Sequence, residues 1–494
     1  MVHTEAQRHR ALITNLRLLP TNSVQYEQIE EKKTDTKQQL RASVPLRDKF
    51  KKKLSIMLLF LFLPTSSLFA RSGVEAFFGP GRTGDDLTLR VALIGPGDEL
   101  YFWWGHIGLL VEDRVSGHAL FFDWGHFSFD AENFFLNFAF GRLIYSCMVS
   151  LAEPNFNYYI RTNRDIILYT LDLPAESIER VMLFAEYNMR PENRDYLYHH
   201  FRDNCATRIR DIIDIAVDGQ FKAAFGEMPS RFTLRQHVRR HTWFNPFFDW
   251  ILNFWMGQDI DRPITVWDDM FLPSEVTLRI SDFRFIDRYG QERQLVSDRE
   301  VFFQSQGRPI VLDEPRLQWP RTLLASMLFS GILLGLNFAG RKLNNNEFRK
   351  GVKIFFGLLQ SLLGLFFGIA GSMLFFMTTF TEHDYTFNNL NLLFVNPLFL
   401  ILVPLGLNLA FSKNEKKRSK AKRFSKFFWA YVFIGGVLTM VLKIFPAFFQ
   451  QNQVDLALIL PITLTMFYIS AQKPVKDLTM SRIKKLEQKK KGKA

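Results

Sequence analysis

Apolar residues follow two different patterns along this chain of 494 residues. In the first part they occur in short runs, whereas after residue 321 they form five stretches long enough, or nearly so, to cross a bilayer. Buried helices of a soluble protein rarely remain so apolar for so long. The pattern therefore predicts five transmembrane helices, at about Thr322 to Gly340, Ile354 to Phe380, Leu390 to Phe411, Phe427 to Phe445 and Val454 to Ser470.

The loops between these stretches predict the orientation in the membrane, because Lys and Arg collect on the cytoplasmic side. Arg341 to Lys353 holds five basic residues, Ser412 to Lys426 eight, and the tail 471–494 nine. The alternate loops, Thr381 to Asn389 and Pro446 to Gln453, hold none. We therefore expect a cytoplasmic C-terminus, a membrane domain over residues 322–470, and residues 71–321 on the extracytoplasmic side.

Residues 71–321 mix strand-like and helix-like segments. Short apolar and alternating runs predict strands, and longer amphipathic runs predict helices. The fold class expected is α+β, with an antiparallel sheet packed against helices. The predicted strands are Leu87 to Ile94, His106 to Glu112, Ala119 to Asp123, Leu143 to Ser150 and Asp165 to Leu173, and the predicted helices are Ala175 to Asn188 and Cys205 to Val217.

The segment 49–70 has the features of a secretory signal peptide. Lys49 to Lys53 is basic, Leu54 to Leu63 is apolar, and Ser66 to Ala70 consists mostly of small residues. The polar residues 1–48 ahead of it do not belong to a normal signal. A start codon assigned too early explains them; the alternative is a cytosolic extension before a retained membrane anchor.

Charge and cysteine content exclude two broad classes of protein. The net charge is +13, but residues 54–321 contain 27 basic and 36 acidic residues, so the basic excess lies in the leading segment and the membrane loops. A soluble nucleic-acid-binding protein is therefore excluded, and we expect no nucleic acid as a partner. The two cysteines are too few for a disulfide scaffold or for a zinc site built of cysteines.

Cys205 is the candidate nucleophile. Asp203 or Asn204 suits the N-cap of the predicted helix, which puts Cys205 in the first turn, where the helix dipole favours a thiolate. A buried structural cysteine is the alternative. Cys147 lies within a predicted strand and is interpreted as a core residue; a disulfide between Cys147 and Cys205 would exclude catalysis.

His106 is the candidate general base for such a nucleophile. A hairpin that turns at Arg114 to Gly117 would place Asp123 to His126 beside it. Asp123 or His126 could then orient the imidazole, as a third polar residue does in cysteine hydrolases. The alternatives are a simply packed histidine or a metal site, although the spacing matches no recognisable metal motif.

Several motifs, read together, resemble the Lnb-type lipoprotein N-acyltransferase family. The resemblance covers about residues 85–470, and the block Asn204-Cys205-Ala206-Thr207 is its most specific part. The motifs are Gly97-Asp98-Glu99-Leu100, Trp104-Gly105-His106, Phe121 to Phe127, Arg190 to Arg194, Phe201 to Arg208, His383 to Thr386 and Asn388 to Pro397.

The resemblance implies a circularly permuted papain-like domain, similar to lecithin:retinol acyltransferase, followed by the all-α bundle of five transmembrane helices. It implies that Cys205 is acylated and that His106 is its base, with no cofactor. The partners would be a phospholipid acyl donor, lipoprotein acceptors and the bilayer, and the location the inner membrane with a periplasmic catalytic domain. The family often has Asn where this chain has Asp123, which leaves the third catalytic role open between Asp123 and His126.

Further residues are expected to contact substrate. They are Trp104, Asp203, Asn204 and Thr207 near the nucleophile, and His383 with Asp384 in the membrane half, where a solvated loop is the alternative. An aromatic run from Trp243 to Trp255 could line an acyl groove, dip into the membrane interface or pack in a core. Two rival functions stay open: a papain-like cysteine amidase or peptidase acting on cell-wall peptide, and a non-enzymatic membrane scaffold.

Overall fold

The structure is a computed structural model, which describes residues 73–127, 133–306, 313, 317–343 and 345–473. The predicted leader, the signal segment 49–70 and residues 474–494 of the tail lie outside the described residues. The described chain forms two compact units. We call residues 73–127, 143–228 and 265–306 the sheet unit, and residues 133–142, 229–264, 313, 317–343 and 345–473 the helical unit.

The sheet unit is built on a seven-stranded antiparallel sheet, in the order β6-β4-β3-β2-β1-β5-β9, and a separate β7-β8 hairpin. The five predicted strands are present, which confirms the α+β class. The nine strands are β1 Leu87–Ile94, β2 His106–Asp113, β3 Ala119–His126, β4 Ile144–Leu151, β5 Ile166–Leu171, β6 Asp195–Leu197, β7 Arg284–Ile286, β8 Glu292–Gln294 and β9 Val296–Phe303.

The helices of both units follow in chain order. They are α1 Gly73–Phe78, α2 Phe134–Ala139, α3 Ala152–Arg161, α4 Ala175–Met189, α5 Cys205–Ala216, α6 Gln220–Phe225, α7 Leu234–Thr242, α8 Pro246–Trp255, α9 Val266–Asp269, α10 Pro273–Ser281, α11 Trp319–Lys342, α12 Asn346–Phe380, α13 Leu402–Phe411, α14 Glu415–Leu442 and α15 Gln453–Ala471. Of these, α2, α7, α8 and α11 to α15 belong to the helical unit.

One face of the sheet packs against α4 and α5. The apolar residues of α5 recur every three to four positions and are buried, together with those of β1, β2 and β3. Because α5 is held on this face by its apolar stripe, its first residue is fixed near one end of the sheet. The buried residues of α5 in this core include Ile209, Ile212, Ile213 and Ala216.

Sheet register places His106 at the end of its strand. In the β1–β2 pair, Leu87 lies opposite Asp113 and Ile94 opposite His106. In the β2–β3 pair, Leu109 lies opposite Phe122, so the hairpin predicted around Arg114 to Gly117 is present. The first half of β2 therefore runs beside the second half of β3, which carries Asp123.

Five segments of the helical unit are long and apolar enough to cross a membrane, as predicted. Helices α12 and α14 begin earlier than the apolar pattern indicated, because their polar first turns are also helical. The third segment, Leu390–Phe411, has the predicted bounds and starts with 3-10 turns at Leu390–Leu393 and Pro397–Ile401 before α13. Asn396 caps the second turn, and Pro397 supplies no amide to an α-helix.

Small residues bring α12 and α13 into backbone contact. A Cβ atom on Gly357 would lie 2.6 Å from the amide nitrogen of Ala410, and one on Gly406 would lie 2.4 Å from the carbonyl oxygen of Gly357. Membrane helices approach closely where their interfaces consist of such small residues. This packing is typical of a helix bundle formed within a bilayer.

Candidate active site

Asn204 fixes the position of Cys205 at the start of α5. Its side-chain oxygen accepts hydrogen bonds from the amides of Ala206 at 2.9 Å and Thr207 at 3.0 Å, and the Thr207 hydroxyl accepts one from the Asn204 amide at 2.8 Å. Such a cap contributes about 1 kcal/mol to helix stability. Cys205 is thus the first helical residue, at the positive end of the helix dipole, and the cap leaves its own amide unused.

The other polar atoms of Asn204 and those of Asp203 are also engaged within the protein. The Asn204 side-chain NH₂ donates to the carbonyl oxygens of His200 and Phe271. Asp203 accepts two hydrogen bonds from Arg208, at 2.6 and 2.9 Å, and the guanidinium lies 4.4 Å from the centre of the Tyr196 ring. The residues expected to touch substrate around Cys205 thus hold the start of α5 in position.

His106 lies between Cys205 and an aspartate. Its Nε2 is shielded from solvent and lies 3.0 Å from Oδ1 of Asp123, a charge contact rather than a well-aligned hydrogen bond. The side chain of Cys205 lies close enough to the imidazole to raise its pKa. His106 on β2, Cys205 at the start of α5 and Asp123 on β3 thus come together in one site.

The charges around His106 favour its protonated form. Burial alone lowers the pKa of His106, but the negative charges of Asp123 and of a Cys205 thiolate outweigh burial and raise the pKa to about 10. Burial likewise raises the pKa of Asp123, but the nearby His106 charge and hydrogen bonds lower it below its ordinary value. The arrangement therefore stabilises an imidazolium at His106 next to the Asp123 carboxylate.

Asp123 rather than His126 contacts the imidazole. The Gly125 amide donates to Asp123 Oδ1 at 2.6 Å and orients the carboxylate. His126 is exposed and follows a shift in the β3–β4 register between residues 123 and 126. Within the described ranges, no group of three or more His, Cys, Asp and Glu side chains is arranged to hold a metal ion.

Two tyrosines beside the catalytic residues were not predicted from the sequence. The Tyr159 ring on α3 lies 6.5 Å from the His106 ring, centre to centre. Tyr145 on β4 stacks on Tyr198 at 4.1 Å; burial, and then the charge of Cys205, raise its pKa. Their only signal in the sequence is a general abundance of aromatic residues, since neither lies near His106 or Cys205 along the chain.

The second cysteine belongs to the core, as interpreted. Cys147 is buried, its sulfur lies 3.9 Å from Oδ1 of Asn188, and burial raises its pKa to about 12. Both Cys147 and Cys205 are free thiols, which rules out the disulfide considered as an alternative. Cys205 is half-buried and Cys147 fully buried, so only Cys205 is open to a reactant.

His383 is a buried residue of the helical unit. Its Nε2 lies 3.1 Å from the carbonyl oxygen of Phe138 and its Nδ1 lies 2.8 Å from the hydroxyl of Tyr385. Asp384, beside it, begins a 3-10 turn. In the sheet unit, Trp104 is half-buried next to Trp103, with ring centres 6.4 Å apart.

The aromatic run 243–255 divides into packed and exposed residues. Trp250 lies parallel to Phe366, with ring centres 5.8 Å apart, and its indole NH donates to Asp455 at 2.8 Å. Phe254 is buried in the same core, whereas Trp243 and Phe247 are exposed. Core packing therefore accounts for Trp250 and Phe254. The exposed Trp243 and Phe247 are the residues of this run that are free to enter the membrane interface.

Two family models match this chain. Residues 83–240 match the family model described as the Lnb N-terminal periplasmic domain, and residues 327–474 match the one described as the Lnb transmembrane domain. The first match contains His106, Asp123 and Cys205, and the second contains His383. No curated protein and no solved structure matches the chain.

Proposed function

Because the chain belongs to the Lnb family, with a periplasmic domain followed by a transmembrane domain, we propose that it is a membrane-bound lipoprotein N-acyltransferase. In this proposal a fatty acyl chain moves from a phospholipid to Cys205 and then to the α-amine of a lipoprotein's N-terminal diacylglyceryl-cysteine. The observation that carries the proposal is the free Cys205 at a helix N-terminus, close to His106, whose Nε2 lies 3.0 Å from Oδ1 of Asp123.

The first half-reaction forms a thioester. The Cys205 thiolate attacks the ester carbonyl of the phospholipid, and the Cys205 amide is a suitable donor to the oxyanion that develops. When the carbon–oxygen bond of the ester breaks, the His106 imidazolium donates its proton to the departing lysophospholipid alkoxide. His106 is then neutral, as the next step requires.

The second half-reaction transfers the acyl group to nitrogen. Neutral His106 accepts a proton from the attacking α-amine, the carbon–nitrogen bond forms, and the carbon–sulfur bond breaks. The products are an amide, a Cys205 thiolate and an imidazolium, so the starting charge state is restored. Asp123 stabilises the imidazolium and fixes the orientation of the ring throughout.

Both substrates of this reaction are anchored in lipid, which is consistent with the chain's connectivity. After β3, which carries Asp123, the chain enters the helical unit at residues 133–142 and returns at β4; it enters that unit again at residues 229–264. An enzyme that acts only on soluble cell-wall peptide has no evident need for five membrane spans. The proposal includes an inner-membrane location and a cytoplasmic C-terminus, based on the basic loops.

The test is to trap the acyl-enzyme on the full-length protein. With phospholipid as donor, we expect a fatty acyl thioester on Cys205 that hydroxylamine releases, identified by mass spectrometry. Cys205→Ala and His106→Ala should each abolish nearly all transfer, and the double variant should be little worse, because members of one catalytic unit are non-additive. Cys147→Ala is the matched control and should retain activity.

Two outcomes would count against the proposal. A peptidyl adduct on Cys205 from peptidoglycan fragments, without an acyl adduct from phospholipid, would favour the amidase. An active Cys205→Ala protein that is normally expressed and inserted would refute the thioester mechanism. Mass spectrometry of lipoprotein N-termini from cells with and without the gene tests the acceptor directly.

A further inference from the structure

Arg164 is a fully buried cation in the loop between α3 and β5. Its side chain has a relative exposure of 0 %, and its Nε donates to the carbonyl oxygen of Gly95 at 2.9 Å. The guanidinium carbon lies 4.2 Å from the centre of the Phe102 ring and 5.2 Å from that of the Tyr159 ring. The hydrogen bond and the two rings hold the guanidinium in one orientation.

The two terminal nitrogens of this guanidinium have no hydrogen-bond partner in the described part of the chain. Nη1 and Nη2 are both inaccessible to solvent. The neighbouring Asp165 instead accepts a hydrogen bond from the Ser305 amide at 2.7 Å, and Glu99 is exposed. An uncompensated buried charge is strongly unfavourable, so a protein that keeps one generally supplies it with an anionic partner.

Arg164 and His106 both lie near the ring of Tyr159. The Tyr159 ring contacts the guanidinium on one side and lies 6.5 Å from the His106 ring on the other. Burial lowers the pKa of Arg164, and the charges of Tyr159, Tyr158 and Cys205 act to raise it. The unpaired guanidinium therefore belongs to the same site as the nucleophile.

A short, partly exposed turn covers one side of Arg164. Phe102 belongs to the short 3-10 turn Leu100–Phe102, in which Leu100 is 36 % and Tyr101 48 % exposed. Gly97 permits the close packing under this turn, since a Cβ there would lie 2.9 Å from the Cβ of Phe102 and 3.3 Å from Cδ of Arg164. Phosphate access to the guanidinium requires a displacement of this turn.

We propose that Arg164 binds the phosphate of the acyl donor, through Nη1 and Nη2 to two phosphate oxygens. The proposal deepens the proposed function and rests on it for the identity of the donor. A guanidinium presents two parallel N–H groups that match a phosphate, and such charge-assisted pairs are among the strongest hydrogen bonds in proteins. Arg164 would thereby select a phospholipid over an uncharged glyceride and position its ester at Cys205.

The test compares two donors with the same acyl chains. Full-length protein in mixed micelles is given either short-chain phosphatidylglycerol or the corresponding diacylglycerol, and the rate of Cys205 acylation is measured. Wild-type protein should prefer the phospholipid, and Arg164→Gln should reduce that preference by about tenfold or more, because it slows acylation from phosphatidylglycerol far more than acylation from diacylglycerol. Arg161→Gln is the matched control, because Arg161 is an exposed arginine in the last turn of α3, three residues before Arg164.

A second readout separates phosphate binding from support of the thiolate. In a Cys147→Ala background only Cys205 can react with iodoacetamide, because the chain has two cysteines. Arg164→Gln should leave this alkylation rate within about twofold of the parent, and Arg164→Lys should recover part of the donor preference. If Arg164→Gln instead slows alkylation and both donors equally, Arg164 acts on Cys205 or on the fold, and the proposal is overturned.

Protection against alkylation tests binding without any acyl transfer. Short-chain phosphatidylglycerol should slow the alkylation of Cys205 in the parent protein and not in Arg164→Gln. If inorganic phosphate protects equally well, the site takes a free anion, and the assignment to a lipid is wrong. A third outcome separates the two proposals. If phosphatidylglycerol protects Cys205 only when Arg164 is present, but no donor acylates Cys205, Arg164 binds the phosphate and the proposed acyl transfer is refuted.

Discussion

Gly125 lies directly against the imidazole of His106. A Cβ atom on residue 125 would be 2.6 Å from Cε1 of His106 and 3.2 Å from Oδ1 of Asp123. The same glycine donates its amide to Asp123. Only a residue without a side chain fits between the two catalytic groups, so Gly125 is a positioning residue of the site.

Gly125→Ala should therefore impair catalysis more than stability. The added methyl group must displace the His106 ring, and a misplacement of about 1 Å in a catalytic group can reduce the rate by roughly 10²-fold. Acylation of Cys205 and the melting temperature should be measured together. Gly335→Ala is the matched control, because a Cβ there meets no atom within 4 Å. A fully active Gly125→Ala protein would contradict this account of the site.

The third catalytic role should belong to Asp123. Asp123→Ala should lower the acylation rate by about 10²-fold or more yet leave measurable activity, because an orienting carboxylate mainly fixes the position and charge of the imidazole. His126→Ala should stay within about twofold of wild type, since the His126 side chain is exposed. Single-turnover acylation rates measure both variants. If His126→Ala greatly slows acylation and Asp123→Ala does not, the third catalytic role belongs to His126.

His106 should titrate far above an ordinary histidine, with its imidazolium persisting until the pH approaches about 10. Because the folded-state pKa is raised, the stability from its charge contacts is complete below the ordinary value near 6.5 and is lost as the pH rises through about 10. Asp123→Asn and Cys205→Ala should each lower the pKa of His106, because Asp123 and Cys205 both raise it. Asp123→Asn should lower it by more, because Asp123 has the larger effect.

NMR titration of protein with isotope-labelled histidine measures this pKa, and His106→Gln identifies the resonance. Wild type should have the highest value, Cys205→Ala an intermediate one and Asp123→Asn the lowest. A wild-type His106 that titrates near 6.5 would show that the charges of Asp123 and Cys205 do not act on it as described.

The basic loops predict the orientation of the protein in the membrane. Reporter fusions after Arg349 and after Lys420 should be cytoplasmic, and fusions near Asp384 extracytoplasmic, because the first two loops hold five and eight basic residues and the third holds none. Paired reporters that are active on opposite sides of the membrane provide the measurement. The reverse pattern would place Cys205 in the cytoplasm and exclude periplasmic acyl transfer.

Structural features that depend on residues close together in the chain were predictable from the sequence. The five membrane spans, the strands β1 to β5 and the capped start of α5 all depend on residues close together in the chain: runs of apolar residues, alternation, and a side chain that bonds to amides two and three positions ahead. Cys205 could be singled out because helix capping and the helix dipole are local effects. The apolar composition of the third span did not reveal its 3-10 start, where Asn396 caps a turn and Pro397 follows it.

Only the tertiary structure decided which distant residues meet. Strand register and the shift after Asp123 determined that Asp123, and not His126, contacts His106. The packing of α3 brought Tyr159 to His106 and Arg164 to Tyr159, and long-range contacts grouped residues 133–142 and 229–264 with the membrane helices. The physical reason is that a shift of one residue in strand pairing, or a small rotation of a packed helix, changes every such neighbour without altering the local pattern from which the sequence is interpreted.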